Sequence, residues 1–182
     1  MEQPIATFSH VGIFVRDLDR MVDFYTRMLG LLVNDRGVQP GGTTELAFLS
    51  HDPDQHHQFV LVTGRPADAS DSVVNQISFK LPTLEDLKTM YSRLRAEGIE
   101  PNRIVTHGNA WSIYFPDPEG NRAELFVDTP WHTPQPFAEP FDIEAPAEAI
   151  FARTEAICRS RPGFSSRAEW RRVVSEKMGV AG

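Results

Sequence analysis

The same strand-and-helix unit occurs twice in this chain, starting at position 10 and again at position 76, an offset of 66 residues. In the first copy, His10-Val11-Gly12-Ile13-Phe14-Val15-Arg16-Asp17-Leu18, alternation sends Val11, Ile13 and Val15 to one face. Phe8, His10, Gly12 and Phe14 take the other. Leu18, Met21, Val22, Tyr25, Met28 and Leu29 follow at helical spacing, with Gly30 as a natural stop. The second copy sets Ile77 against Val11, Phe79 against Ile13, Leu81 against Val15, Leu84 against Leu18 and Tyr91 against Tyr25. Its helix opens at a capping box, Thr83-Leu-Glu-Asp86, with Asp in place of Glu, and Gly98 stops it. Such a chain folds as two like modules. Each aliphatic strand face wants a helix laid on it. The polar faces, with His10 in one copy and Gln76, Ser78 and Lys80 in the other, are left for a site.

Each unit is followed by further strands. Leu31 to Asp35 is predicted as one, Arg36 to Thr44 as a stretch that turns at Pro40-Gly41-Gly42, and Glu45 to Ser50 with His57 to Thr63 as a hairpin. No helix opens directly behind the paired glycines, so they do not read as a phosphate cradle. Gly64 to Ser72 is a linker of small and polar residues. In the second module, strands are predicted at Ile104 to Thr106, Trp111 to Phe115 and Arg122 to Val127, the last two joined by the turn Pro116 to Asn121. Glu124 shares a face with Phe126, opposite Ala123, Leu125 and Val127. An acid in the middle of an apolar strand needs a partner if it is buried.

Beyond Thr129 the character changes. Pro130, Pro134, Pro136, Pro140 and Pro146 mark an extended, wrapping segment. Ala147, Ile150, Phe151, Thr154, Ile157 and Cys158 then have helical spacing, and Ser166-Arg-Ala-Glu169 opens a last helix around Trp170, Val173 and Val174. The division expected is one domain over 1–129, with modules at about 6–64 and 73–129, and an extension over 130–182. The fold class is α+β, with paired βαβββ modules forming a half-open mixed barrel.

Composition narrows the function. A net charge of −7 argues against a nucleic-acid backbone as partner. The basic tail after Arg159 reads as a segment docked on its own acidic body or on a partner subunit, so a homo-oligomer through the extension is expected. The single cysteine, Cys158, excludes a disulfide framework and fits a reducing compartment. There is no charged-then-apolar leader and no apolar run long enough to span a bilayer, so a cytoplasmic protein without a membrane partner is expected.

The chemistry rests on His10, His56, His57, Gln76, His107, Tyr114 and Glu124. Three of these, His10, Gln76 and Glu124, lie on strand faces turned away from the helices. In a duplicated half-open sheet such faces line a cleft, where imidazole, amide oxygen and carboxylate make a divalent-metal donor set. The bland reading of the same set is a polar cleft satisfied by water.

Three phrases carry a resemblance: the opening His-Val-Gly-Ile-Phe-Val-Arg-Asp-Leu, the helix end Phe-Tyr-Thr-Arg-Met-Leu-Gly, and Asp-Pro-Glu-Gly-Asn-Arg-Ala-Glu-Leu, the most specific. Over roughly residues 6 to 129 the chain resembles the vicinal oxygen chelate superfamily, which holds glyoxalase, bleomycin resistance protein and type I extradiol dioxygenase. Ala47-Phe48-Leu49-Ser50, the pair His56-His57, His107-Gly108 and Tyr114 are most similar to short extradiol ring-cleavage dioxygenases.

That resemblance implies an enzyme that cleaves a small aromatic diol with O2 on one divalent metal, Fe(II) first and Mn, Zn or Ni as alternatives. His10 and Glu124 would be ligands, His57 the neighbouring acid/base, and His107 and Tyr114 hydrogen-bonding partners of the substrate oxygens. The family's second histidine ligand would stand at position 76, where this chain has Gln76. Glyoxalase-type members use Gln at such a position, so Gln76 is taken as the third ligand, with His57 as its alternative. The other functions implied are a glyoxalase-like lyase or isomerase with a non-redox metal, and a metal-free small-molecule binding protein of the same fold.

Overall fold

The computed structural model describes residues 4–69 and 72–180; residues 70–71 of the expected linker lie outside the described residues. The chain divides into two compact units, Met1–Val73 with Asp117–Asn121, and Val74–Pro116 with Arg122–Gly182.

The first unit is one βαβββ module. Its elements are β1 (Val11–Val15), α1 (Leu18–Leu29), β2 (Leu32–Val38), β3 (Glu45–Ser50) and β4 (Phe59–Thr63). The sheet order is β1-β4-β3-β2, parallel only where β1 meets β4. Ile13 and Val15 are buried while His10, Gly12 and Phe14 are exposed, as their alternation requires. Asp17 caps α1 by accepting from the Arg20 amide at 3.0 Å, and Gly30 ends it in the left-handed region. Leu18, Met21, Phe24, Tyr25 and Met28 are its buried face. Each such side chain contributes about 1.5–3 kcal/mol of burial.

β2 runs on to Val38, three residues past the predicted end. All seven of its residues are exposed, so the strand has no apolar alternation to announce it. Backbone pairing of Arg36, Gly37 and Val38 with Ala47, Leu46 and Glu45 carries it instead. β4 starts at Phe59 rather than His57, which leaves His56 and His57 in the loop before it.

The turn 117–121 closes the first unit's polar interior. Glu119 accepts from the Arg16 and Asp17 amides at 2.5 and 2.9 Å, just ahead of α1, and pairs with Arg65 at 3.3 Å. Both charges are nearly dry, with side chains 5% and 9% exposed. Beside them the Tyr25 hydroxyl donates to Asp117 at 2.9 Å, and burial, then Asp117, pushes that phenol well above its ordinary pKa. Glu119→Ala leaves the Arg65 charge unpaired, so the unfolding free energy should drop by about 3–5 kcal/mol. Chemical denaturation checks this, and a drop below about 1 kcal/mol, the worth of an exposed pair, would contradict it.

The second unit repeats the module with β5 (Ile77–Lys80), α2 (Leu84–Ala96), β6 (Arg103–Thr106), β7 (Ala110–Pro116) and β8 (Arg122–Asp128). The capping box at Thr83 and Asp86 forms as predicted. The extension adds β9 (Trp131–His132), β10 (Glu139–Pro140), α3 (Ala147–Ser160), β11 (Ser165–Ser166) and α4 (Arg167–Met178). β10 joins the edge of the module's sheet, giving the order β10-β6-β7-β8-β5, with β5 and β8 parallel. β9 pairs with β11 in a short second ladder. α3 is fixed to the sheet by the buried Trp111 indole, which donates to the Thr154 hydroxyl at 2.9 Å. Each module forms an open mixed sheet, and neither closes into a barrel. Among the described residues no helix is long and apolar enough to cross a membrane.

Candidate functional site

Strand register lays a row of polar side chains across the second unit's sheet. Ser78 on β5 is paired with Glu124 on β8, Glu124 with Tyr114 on β7, and Tyr114 with Arg103 on β6. Residues directly opposite one another share a face, so the four stand in one line. The Ser78 hydroxyl donates to Glu124 Oε2 at 2.5 Å, and the Gln76 amide donates to the same oxygen at 2.7 Å. Because a carboxylate only accepts, Gln76 must turn its NH2 that way, which points its own Oε1 elsewhere.

At the other end of the network His107 is held by the extension. Its Nδ1 donates to the Phe137 carbonyl at 2.6 Å, since a carbonyl only accepts. A neutral imidazole then presents its Nε2 lone pair, which meets the Tyr114 hydroxyl at 2.9 Å. Burial, and next the hydrogen bond to Glu124, pushes the Tyr114 pKa up to about 12. The phenol therefore keeps its proton over the whole working pH range.

Gly108 sets the place of His107. It sits at φ 76°, and a Cβ there would lie 2.6 Å from the Thr133 hydroxyl and 3.2 Å from the Cys158 sulfur. Gly108→Ala should lower stability by about 2–4 kcal/mol, from left-handed strain plus overpacking. It should also displace His107. Thermal denaturation with a pH-independent activity assay checks this, and an unchanged midpoint would contradict it.

The first unit gathers a different cluster. The His10 and His57 rings meet edge to face with centroids 4.3 Å apart, and His57 Nδ1 lies 2.9 Å from His56 Nδ1. His56 Nε2 reaches the Asp35 carboxylate at 2.7 Å. That carboxylate holds the His56 proton on Nε2, so His56 Nδ1 accepts from His57 Nδ1 and leaves His57 Nε2 as the free lone pair. Burial first, then the neighbouring His10 and His56, lowers the His57 pKa. His10 Nδ1 lies 3.3 Å from the Ser9 hydroxyl, which leaves its Nε2 open.

The structure thus brings Gln76, Glu124, Tyr114 and His107 into one network, and His10 and His57 into another. Among the described residues, no three His, Cys, Asp or Glu side chains are gathered in a metal-binding arrangement. The donor chemistry nonetheless fits a divalent cation. Glu124 is 6% exposed, and among the described residues no Lys, Arg or His is paired with it; its charge is met by neutral donors, Ser78 and Gln76 on Oε2 and the Tyr114 hydroxyl. A buried carboxylate is costly without a cation. Within the second unit, Glu124 Oε1 and Gln76 Oε1 are the atoms suited to one.

Sequence reasoning named these residues but missed three of their supports. Ser78 was placed on the face of Gln76, without its bond to Glu124. Arg103 fell one residue outside its predicted strand. The Phe137 carbonyl, a backbone atom, has no signature of its own.

Comparison with known proteins accords with this architecture. The model of the Glyoxalase/Bleomycin resistance protein/Dioxygenase superfamily matches residues 7–125. The chain is 30% and 33% identical, over 125 residues each, to biphenyl-2,3-diol 1,2-dioxygenases 2 and 3 of Rhodococcus globerulus. Both alignments cover 66% of this chain and 62% of the relative, so the chain spans under two thirds of their length. Among solved structures, a glyoxylase/bleomycin resistance protein/dioxygenase domain from Frankia sp. EAN1pec superposes with a TM-score of 0.59 at 26% identity. It covers 69% of this chain and 94% of that domain. The chain belongs to the glyoxalase/bleomycin resistance protein/dioxygenase superfamily.

Proposed function

We propose that this protein is a divalent-metal-dependent extradiol dioxygenase, opening the ring of a catecholic aromatic compound with O2 on Fe(II). The observation that carries the reading is the His107–Tyr114–Glu124 network, in a chain about one third identical to two dioxygenases that act on a biphenyl diol. The ligand set we propose is His10, Glu124 and, through its amide oxygen, Gln76. Ferrous iron, when bound, offers open positions to a catecholate and to O2 and supplies the electron transfer between them.

The chain's own residues handle the protons and the pose. His57, neutral, takes a catechol proton at Nε2. Tyr114 has one hydroxyl proton, within reach of both His107 and Glu124, and His107 keeps one acceptor, so the two can meet neighbouring substrate oxygens once the His107–Tyr114 bond opens. The His107 ring stays aimed throughout, because Phe137 holds its far side.

Gln76 favours a second reading, a glyoxalase-like lyase or isomerase. A neutral amide oxygen suits Zn, Ni or Mn at least as well as iron. An oxygen electrode separates the two. With Fe(II) supplied, O2 uptake equal to catechol consumed is the expected result. No uptake with any catechol would overturn the dioxygenase reading.

A further inference from the structure

Resting on the ring-cleavage reading above, we infer that the substrate carries a carboxylate on its aromatic body and that Arg103 receives it. Arg103 ends the row Ser78–Glu124–Tyr114–Arg103, so it shares the sheet face of the network described above. Its guanidinium stands 5.7 Å from the Tyr114 ring centroid. No carboxylate of the described residues is paired with it, in a chain that carries 25 Asp and Glu against 18 Lys and Arg.

A cavity of about 680 Å3 opens beside it, lined by Arg103, His107, Gln135, Pro136, Phe137 and Ala138. The volume suits a small aromatic molecule. Four of the six lining residues come from beyond residue 125, where the family match ends. That wall is built rather than incidental. The Gln135 amide donates to the His107 carbonyl at 2.7 Å, and the Phe137 amide donates to Gln135 at 3.0 Å. The Arg161 guanidinium covers the Phe137 ring at 3.9 Å.

The cavity therefore has His107 as its polar partner for a substrate oxygen, Pro136 and Phe137 as its apolar side, and a free cation at the end of the row. Arg103 is its only cationic lining residue. One guanidinium fork matches one planar carboxylate in two parallel bonds; a phosphate dianion would leave half its charge unmet.

The test uses the whole protein loaded with Fe(II) under argon and titrated calorimetrically with dihydroxyphenylpropionate isomers and their methyl esters. Oxygen uptake with the same compounds follows in air. Wild type should bind the best acid at least about 10-fold more tightly than its ester, as a charge-assisted pair at an open site allows. In Arg103→Gln that ratio should fall to near one, and Arg103→Lys should keep part of it. Equal binding of acid and ester by wild type, or an acid preference that survives in Arg103→Gln, would overturn the inference. The two readings fail separately. Acid preference without oxygen uptake keeps the Arg103 subsite and overturns ring cleavage, whereas uptake with no acid preference does the reverse. Binding of neither acid nor ester overturns the Arg103 inference, and ring cleavage then stands or falls on oxygen uptake with other catechols.

Discussion

Glu124→Ala should leave the protein with little metal and no measurable ring cleavage. Glu124 is the only carboxylate in the proposed ligand set, and His10 and Gln76 are neutral donors that cannot balance a 2+ charge. The substitution also strips Ser78 and Gln76 of their shared acceptor, at a cost of roughly 1–3 kcal/mol for each donor left unsatisfied. Some destabilisation is therefore expected beside the loss of metal. Glu124→Gln separates the effects, because the amide keeps an oxygen for Ser78 while removing the charge. Both variants, loaded anaerobically with Fe(II) and desalted, should retain a small fraction of the wild-type metal. Full occupancy in Glu124→Gln would show that the carboxylate is not a ligand.

His57→Gln should lower turnover by roughly 10²–10⁴-fold while the metal stays bound. Its Nδ1 is committed to His56, and burial beside His10 and His56 lowers its pKa, which favours the form with Nε2 free to accept a proton. Glutamine can still hydrogen-bond but cannot carry the proton. Single-turnover measurements at saturating catechol read the chemical step directly. If the variant instead loses metal in proportion to its activity, His57 is a ligand in place of Gln76, and the proton role assigned to it is wrong.

Much of the scaffold was legible in residue order because it is written in periodicity. Ile13 and Val15 against His10 and Phe14, and the Leu18–Met28 face of α1, are one-sided patterns that only one packing satisfies. The 66-residue offset then supplied the second module. β2 escaped in part because a fully exposed edge strand is held by backbone bonds, which no side-chain pattern records.

The candidate site divides along the same line. Glu124 was conspicuous as an acid among apolar neighbours, and its burial made its need for partners predictable. That Ser78 meets it depends on β5 lying parallel beside β8, a fact of sheet order rather than of local sequence. The support for His107 comes 30 residues later, from the Phe137 carbonyl, and the loop that carries His107 tolerates only glycine at position 108. Those constraints belong to tertiary packing. The proline-rich extension announced itself as a wrapping segment, but what it wraps became visible only in three dimensions.

The central claim is that a buried, cation-free Glu124 and its partners form one ferrous centre. Its most direct test is elemental analysis of protein purified without oxygen or chelators. About one iron per chain, lost together with catechol-dependent O2 uptake on chelation and restored with it by Fe(II), is the result predicted. Zinc or nickel at that stoichiometry, with activity indifferent to iron, would contradict it.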